Sequence, residues 1–460
     1  MNHLATSDHS SFVRNSGWSR RPRPVELLIM LLLVTGFFIG PIKLLGASWV
    51  GYLSVDGLAM LIIIVVVAER IAHRTPVLAT SPLSIPLLLL AGFCVLELGN
   101  PSAPFIRSVL GLRSWVLYLA FYFVGYYTFR AQEQLHRLYV LLVALGVLTA
   151  AYGVYQWQVG PQSFANWSEY YGRYANLAWS AKSGGVVFRA FSTFVSAGTF
   201  GGNMALLMLI AFSVAASTKV RNWLRIASGA AFAVMGAGVA VSGSRGPVAL
   251  LALAAAVAMA FVPGIWPKLS IIAKGLLMAL AASLVVALFV GPVVGERFAT
   301  MIDPENFFWK WFGPLTSGIR VALDHPLGMG LGYTAGVPSF ISNPALQGLP
   351  TMNVDSGYGS AAAELGLLGL AFFTYFAFKV GIEGIRTWTC VRAGQLRDLL
   401  LGPALFAATY PLVSVIGQPQ ATLPSSIYYW LLIGMLMKAP TLQRALDADH
   451  LLRSQVHPRQ

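Results

Sequence analysis

Few residues in this chain have the types and spacing to do chemistry. Arg245 stands in AVSGSRGPVALL, residues 240–251, a permanent cation between two apolar runs. Ser242 and Ser244 add hydroxyl donors, Gly243 and Gly246 allow close backbone approach, and Pro247 suits the first turn of a following helix. An arginine at a helix start is a receptor for phosphate, because its guanidinium and the free backbone N–H groups face the same anion. Arg189 repeats this ahead of FSTFVSAGTFGGN, with Ser192 and Thr193 as candidate caps. Each arginine alone could be a loop cation reaching for the membrane surface; together they suit one diphosphate. In MNVDSGYGSAAAELGLLGL, 352–370, Asp355 or Ser356 is the natural N-cap of a helix, and Asp355 is alternatively a general base for a sugar hydroxyl. In RVALDHPLGMGLGY, 320–333, His325 is either an acid/base or phosphate ligand, or a residue that only holds the loop. The glycines there follow no strand, which excludes a nucleotide loop and predicts a tight surface turn. Glu364 reads as a polar anchor or a buried partner of an arginine. No Cys/His cluster or paired carboxylate accompanies these residues, so the expected chemistry uses no metal and no cofactor.

The elements that must position these residues are membrane helices. Of 460 residues, 57% are hydrophobic and 10% charged, against about 25% charged in water-soluble domains. Apolar runs recur, and in lipid each must satisfy its own backbone groups as a helix. The expected fold is an all-α polytopic membrane protein of about twelve spans, near 25–41, 49–68, 83–98, 109–129, 138–158, 193–217, 224–243, 247–263, 270–291, 356–380, 398–416 and 426–438. It has a cytoplasmic tail over 1–24, a membrane domain over 25–438 and a second tail over 439–460. The first apolar run reads as an uncleaved helix. Cys94 and Cys390 read as small buried hydrophobes.

With the N-terminus in the cytoplasm, the inner segments hold twenty basic residues and the outer segments ten. That asymmetry predicts both termini inside and explains the net charge of +14 without nucleic acid. Arg189, Arg245, His325 and Asp355 then all lie on the outer side. Two outer segments are long, 159–192 and 292–355. The second, between the ninth and tenth spans, is too aromatic for disorder and is expected to form short helices on the outer membrane surface. No internal repeat is visible, which argues against a transporter built from duplicated halves.

The ordered set FRAFSTFVSAGTFGGNMA, SGSRGPVALLALA, GERFATMID, LDHPLGMGLGY and VDSGYGSAAAELGLLGL resembles the O-antigen ligase / Wzy-type polymerase superfamily of bacterial inner-membrane enzymes. The likeness covers roughly 185–375 by motif. It implies a metal-independent, GT-C-like glycosyltransferase that uses an undecaprenyl-diphosphate-linked oligosaccharide at the periplasmic face, with the bilayer and other polysaccharide export proteins as partners. It also implies that Arg189 and Arg245 bind the diphosphate, with Ser244 beside them and Arg320 in the region of a further family arginine. Where the family has a His-Asn pair before the ELG helix, this chain has Asp355-Ser356, closer to the exopolysaccharide polymerase branches. Polymerisation is therefore the expected reaction, with Asp355, or else His325, as base. Transfer to lipid A core or another acceptor is the alternative. A twelve-span secondary transporter and a non-catalytic assembly partner are more distant readings.

Overall fold

The computed structural model describes residues 22–45, 48–78, 80–160, 179–180, 186–262, 265–289, 304–334, 352, 354–419 and 422–456. The elements are α1 (Pro24–Phe37), α2 (Ile39–Leu45), α3 (Ser48–Ala72), α4 (Ser84–Leu96), α5 (Phe105–Leu112), a π-helical turn over Arg113–Leu117, α6 (Phe121–Thr128) and α7 (Gln132–Val159). A two-residue antiparallel ladder pairs Trp179–Ser180 with Val186–Val187. Then come α8 (Ala197–Ala216), α9 (Asn222–Ser242), α10 (Arg245–Phe261), α11 (Ile265–Phe289), α12 (Pro304–Asp324), α13 (Gly357–Cys390), α14 (Gln395–Leu399), α15 (Leu401–Ile416) and α16 (Ser425–Val456).

The chain is thus a helical protein of membrane type. Among the described residues, five helical stretches are long and apolar enough to cross a membrane: Phe105–Thr128, Gln132–Val159, Ala197–Ala216, Asn222–Ser242 and Gly357–Cys390. Shorter apolar helices include Pro24–Phe37, Arg245–Phe261 and Leu401–Ile416. The apolar stretches read from the sequence fall mainly on helical residues, but 25–41 is divided between α1 and α2, 109–129 between α5, the π-helical turn and α6, and 398–416 between α14 and α15. The last helix runs on through Pro440 to Val456, into the stretch read as a tail. Cys94 is buried as expected, whereas Cys390 is exposed at the end of α13.

The centre of the bundle is α8. It is buried on every side, which is why its sequence is apolar all round rather than along one stripe. Its 20 residues span about 30 Å, the thickness of a hydrocarbon core. It packs against α7, α9, α10 and α15. A second core of aromatic rings joins α13, α15 and α16: Trp430 lies 5.6 Å from Phe376 and 5.5 Å from Tyr410, centroid to centroid.

The glycine-rich stretch after α12 is a docked turn rather than a surface turn. α13 is interrupted at Gly366, whose φ of 70° and ψ of −166° is open in practice only to glycine. The HPLGMGLG turn fills the interruption with its backbone. Leu367 N donates to Pro326 O at 3.0 Å, Met329 N to Ala363 O at 2.9 Å and Gly330 N to Glu364 O at 3.1 Å. A Cβ on Gly366 would lie 2.1 Å from Pro326 O, and one on Gly328 2.4 Å from Glu364 O. The two backbones approach so closely that neither position has room for a side chain.

Among the described residues of 292–355, α12 runs unbroken for 21 residues, longer than the short helices expected there. Residues 292–303 and 335–350, like most of 159–192, lie outside the described residues.

The intramembrane acids are engaged. Asp56 receives Arg113 through two bonds, Nε at 2.5 Å and Nη2 at 2.9 Å, and Tyr118 Oη at 2.5 Å. Glu364 is buried and accepts from Trp115 Nε1 at 2.8 Å and from Thr334 N and Oγ1, both at 2.7 Å. Its role is to fasten α13 to the π-helical turn and to Thr334.

Candidate active site

The corner between α9 and α10 is two residues long. Gly243 ends α9 in the left-handed conformation, φ 56°, and Ser244 precedes the first residue of α10, Arg245. This tight corner leaves the Ser242 carbonyl without a helical partner, and Arg189 takes it. Its Nε donates to Ser242 O at 2.9 Å and its Nη2 to Ser244 Oγ at 2.7 Å. Ala190 N pins the same segment to Val241 O at 3.0 Å. Ser244 Oγ passes on a bond to Ala197 O at 3.1 Å, the first residue of α8. Residues 55 positions apart in sequence are thereby locked into one polar corner at the starts of α8 and α10.

The cap of α8 is Ser196, which accepts from Thr199 N at 3.1 Å. Ser192 and Thr193, the expected caps, are buried instead. Ser192 Oγ donates to Thr149 O at 2.6 Å and Thr193 Oγ1 to Phe37 O at 2.6 Å. They fail as caps because the chain makes another turn before α8 begins, and that turn uses both hydroxyls to anchor itself to α7 and α1.

These pieces open on a cavity of about 770 Å³ lined by Arg189, Arg245 and Ser244, by the first turns of α8 and α10, and by Asp355. Trp311 and Pro314 of α12 cover part of it, so the long segment between α11 and α13 contributes to its wall. Burial, and after it the like charge of Arg245, lower the pKa of Arg189 from its ordinary value. Arg245 at the start of α10, the repelled Arg189 beside it and the N-terminus of α8 make an electropositive pocket. An anion with charge on more than one group fits that field best.

Of Asp355 and Ser356, the second is the cap of α13, its side chain accepting from Gly359 N at 3.1 Å. Asp355 is exposed to the cavity. The surrounding protein strips enough water from its carboxylate to raise its pKa above the ordinary aspartate value. That raises its basicity. Gln418 holds the approach to Asp355: its Nε2 donates to Val354 O and to Ser360 Oγ, and Gly357 N donates to Gly417 O at 2.9 Å.

His325 and Arg320 do not join this group. Gly318 and Ala322 form the buried stripe of α12, with Gly318 against Gly359. Arg320, two positions on, is turned about 200° away and is exposed. His325 is also exposed, and its carbonyl accepts from Gly328 N at 2.8 Å to close the docked turn. Neither lines the cavity.

Several lining residues were not singled out as site candidates, among them Arg113, Thr334 and Gln418. Arg113 enters from the π-helical turn, a polar distortion of an apolar stretch, and its charge within that stretch was the available signal. Thr334 and Gln418 carry no sequence signal, since only the docked turn and the end of α15 bring them there. Among the described residues no group of three or more His, Cys, Asp or Glu gathers. The cavity's charged groups are arginines and one aspartate. No family model matches this sequence, and no curated protein matches it.

Proposed function

We propose that this chain is a membrane-embedded glycosyltransferase that polymerises a glycan carried on undecaprenyl diphosphate, at the periplasmic face of a bacterial inner membrane. The observation that carries this reading is the convergence of Arg189, Arg245, Ser244 and two helix N-termini on one cavity that also receives Asp355. Arg189 and Arg245 hold the diphosphate and stabilise the charge it gains on leaving. Asp355 takes the proton of the acceptor hydroxyl. The acceptor oxygen bonds to the anomeric carbon, and the bond from that carbon to the diphosphate oxygen breaks. Because diphosphate leaves readily, holding the two substrates in line contributes more than strong base catalysis.

The placement of charge supports the side. Arg225 and Lys274 lie by the C-terminus of α8, the far end from the cavity. Basic loop ends favour the cytoplasm, which supports the reading that the cavity belongs to the periplasmic side. The engagement of Asp56 and Glu364 within the fold weighs against proton-coupled transport, which needs acids that can load and release.

The test is deletion of the gene in its host, with lipid-linked glycans and surface polysaccharide followed together. Single repeat units accumulating on the lipid are the expected result. Long polymer that never leaves its lipid would instead mean a ligase. Unchanged glycans would remove both.

A further inference from the structure

The opposite end of α8 carries a second cavity, of about 500 Å³, between α9 and α11. Its polar end consists of Asn222, Arg225 and Lys274. Its floor and walls are Ile226, Gly229, Leu277 and Met278. Both cations are drawn in by the unpaired carbonyls that end α8: Lys274 Nζ donates to Ala216 O at 2.7 Å and Arg225 Nε to Ala215 O at 3.4 Å. Arg225 Nη1 also donates to Asn222 Oδ1 at 3.1 Å. Capping does not exhaust them, since an ammonium has three donors and a guanidinium five. Asp398, at the same end of α8, is engaged by Ser217 Oγ, which donates to it at 2.8 Å.

Below the cations the cavity is apolar and open to the outside of the bundle. Ile226 is 73% exposed and Leu277 67% exposed, on helices that face lipid. Trp223, 62% exposed, stands one residue from Asn222, and tryptophan at the end of a membrane helix marks headgroup depth. A Cβ on Gly229 would meet nothing within 4 Å, so the gap between the helices is real space.

We infer that this cavity binds an anionic phospholipid of the membrane leaflet opposite the candidate active site. Its phosphate lies on Lys274 and Arg225, and one acyl chain lies along Ile226, Gly229 and Leu277. A free phosphate would use the cations and leave the apolar slot empty. A zwitterionic lipid would fill the slot but bring its own ammonium against Lys274 and Arg225. Only an anionic lipid answers both halves, and paired basic residues between membrane helices have this recognition chemistry. The inference does not depend on the glycosyltransferase reading.

The test uses the purified full chain in phosphatidylcholine nanodiscs doped with phosphatidylglycerol, with the retained lipid counted by native mass spectrometry. Wild type is expected to retain phosphatidylglycerol against millimolar inorganic phosphate. Replacing both cations, Lys274→Gln with Arg225→Gln, is expected to weaken retention about thirtyfold, a factor of roughly five per basic residue. Gly229→Leu keeps both cations, fills the slot and favours the helix. It is expected to lose phosphatidylglycerol as well, and it carries the test if the double variant fails to fold. Retention unchanged in Gly229→Leu, or displacement of the lipid by inorganic phosphate, overturns the inference.

Discussion

Arg245 stands at a helix start beside a like charge, which makes its replacement informative. It is the first residue of α10, where the helix dipole is positive. A cation there is unfavourable by about 0.3–1 kcal/mol. The like charge of Arg189 adds to this. Removing these two repulsions should therefore keep Arg245→Gln within about 1 kcal/mol of wild-type stability. Diphosphate binding should weaken. A charge-assisted hydrogen bond contributes about 1.5–3 kcal/mol, so affinity should fall about ten- to 150-fold. Both effects appear in one assay, thermal unfolding of the purified chain with and without a prenyl diphosphate. At one hundred times the wild-type Kd the ligand stabilises wild type by about 2.7 kcal/mol. If affinity drops about fiftyfold, the same concentration is only about twice the variant's Kd and stabilises it by roughly 0.6 kcal/mol. A variant that unfolds earlier without ligand yet binds diphosphate as wild type does would refute the argument, leaving Arg245 a structural residue.

Four further outcomes follow from the geometry. Because Ser356 and not Asp355 caps α13, Asp355→Asn should change stability by no more than about 0.5 kcal/mol at low pH while lowering glycan transfer about 10²- to 10⁴-fold, measured with purified lipid-linked substrate. The raised pKa of Asp355 sets two pH signs: native protein binds the proton more tightly than unfolded chain, so stability falls as pH rises from the ordinary aspartate range through the raised value, and transfer falls as pH drops through that value; Asp355→Asn should flatten the first slope. Ser356→Ala should cost about 1 kcal/mol in chemical unfolding, the usual loss for an N-cap. Gly366→Ala should cost at least about 3 kcal/mol, since positive φ and a carbonyl 2.1 Å from the new Cβ act together, whereas Leu367→Ala, on the exposed neighbour, should stay within about 1 kcal/mol.

The reading of particular residues shows where sequence suffices. Arg245 was legible because a permanent charge between apolar runs has few places to go in a membrane, and Gly243 and Pro247 around it predicted the tight corner that α9 and α10 form. Arg189 was legible as a cation ahead of a helix, but its bonds to Ser242 and Ser244 were not, since they join residues more than 50 positions apart. His325 and Arg320 lie outside the cavity for a related reason. Both lie in a polar, glycine-rich stretch that resembles a site, yet the glycines serve the backbone contact with Gly366, and both side chains are exposed outside the cavity.

By itself the sequence determined that this is a helical membrane protein, because hydrophobicity and run length are local properties that lipid reads directly. It also determined the candidate anion receptors, because charge in an apolar chain is costly enough to be conspicuous. Tertiary structure alone decided which carboxyl or hydroxyl does what. Ser356 became the cap and Asp355 the group on the cavity through a difference of one residue in where α13 starts. Arg113, Thr334 and Gln418 reached the cavity through a π-helical turn, a docked glycine turn and a helix end. Those placements depend on how distant backbones pack, and packing is set by contacts that no local pattern encodes.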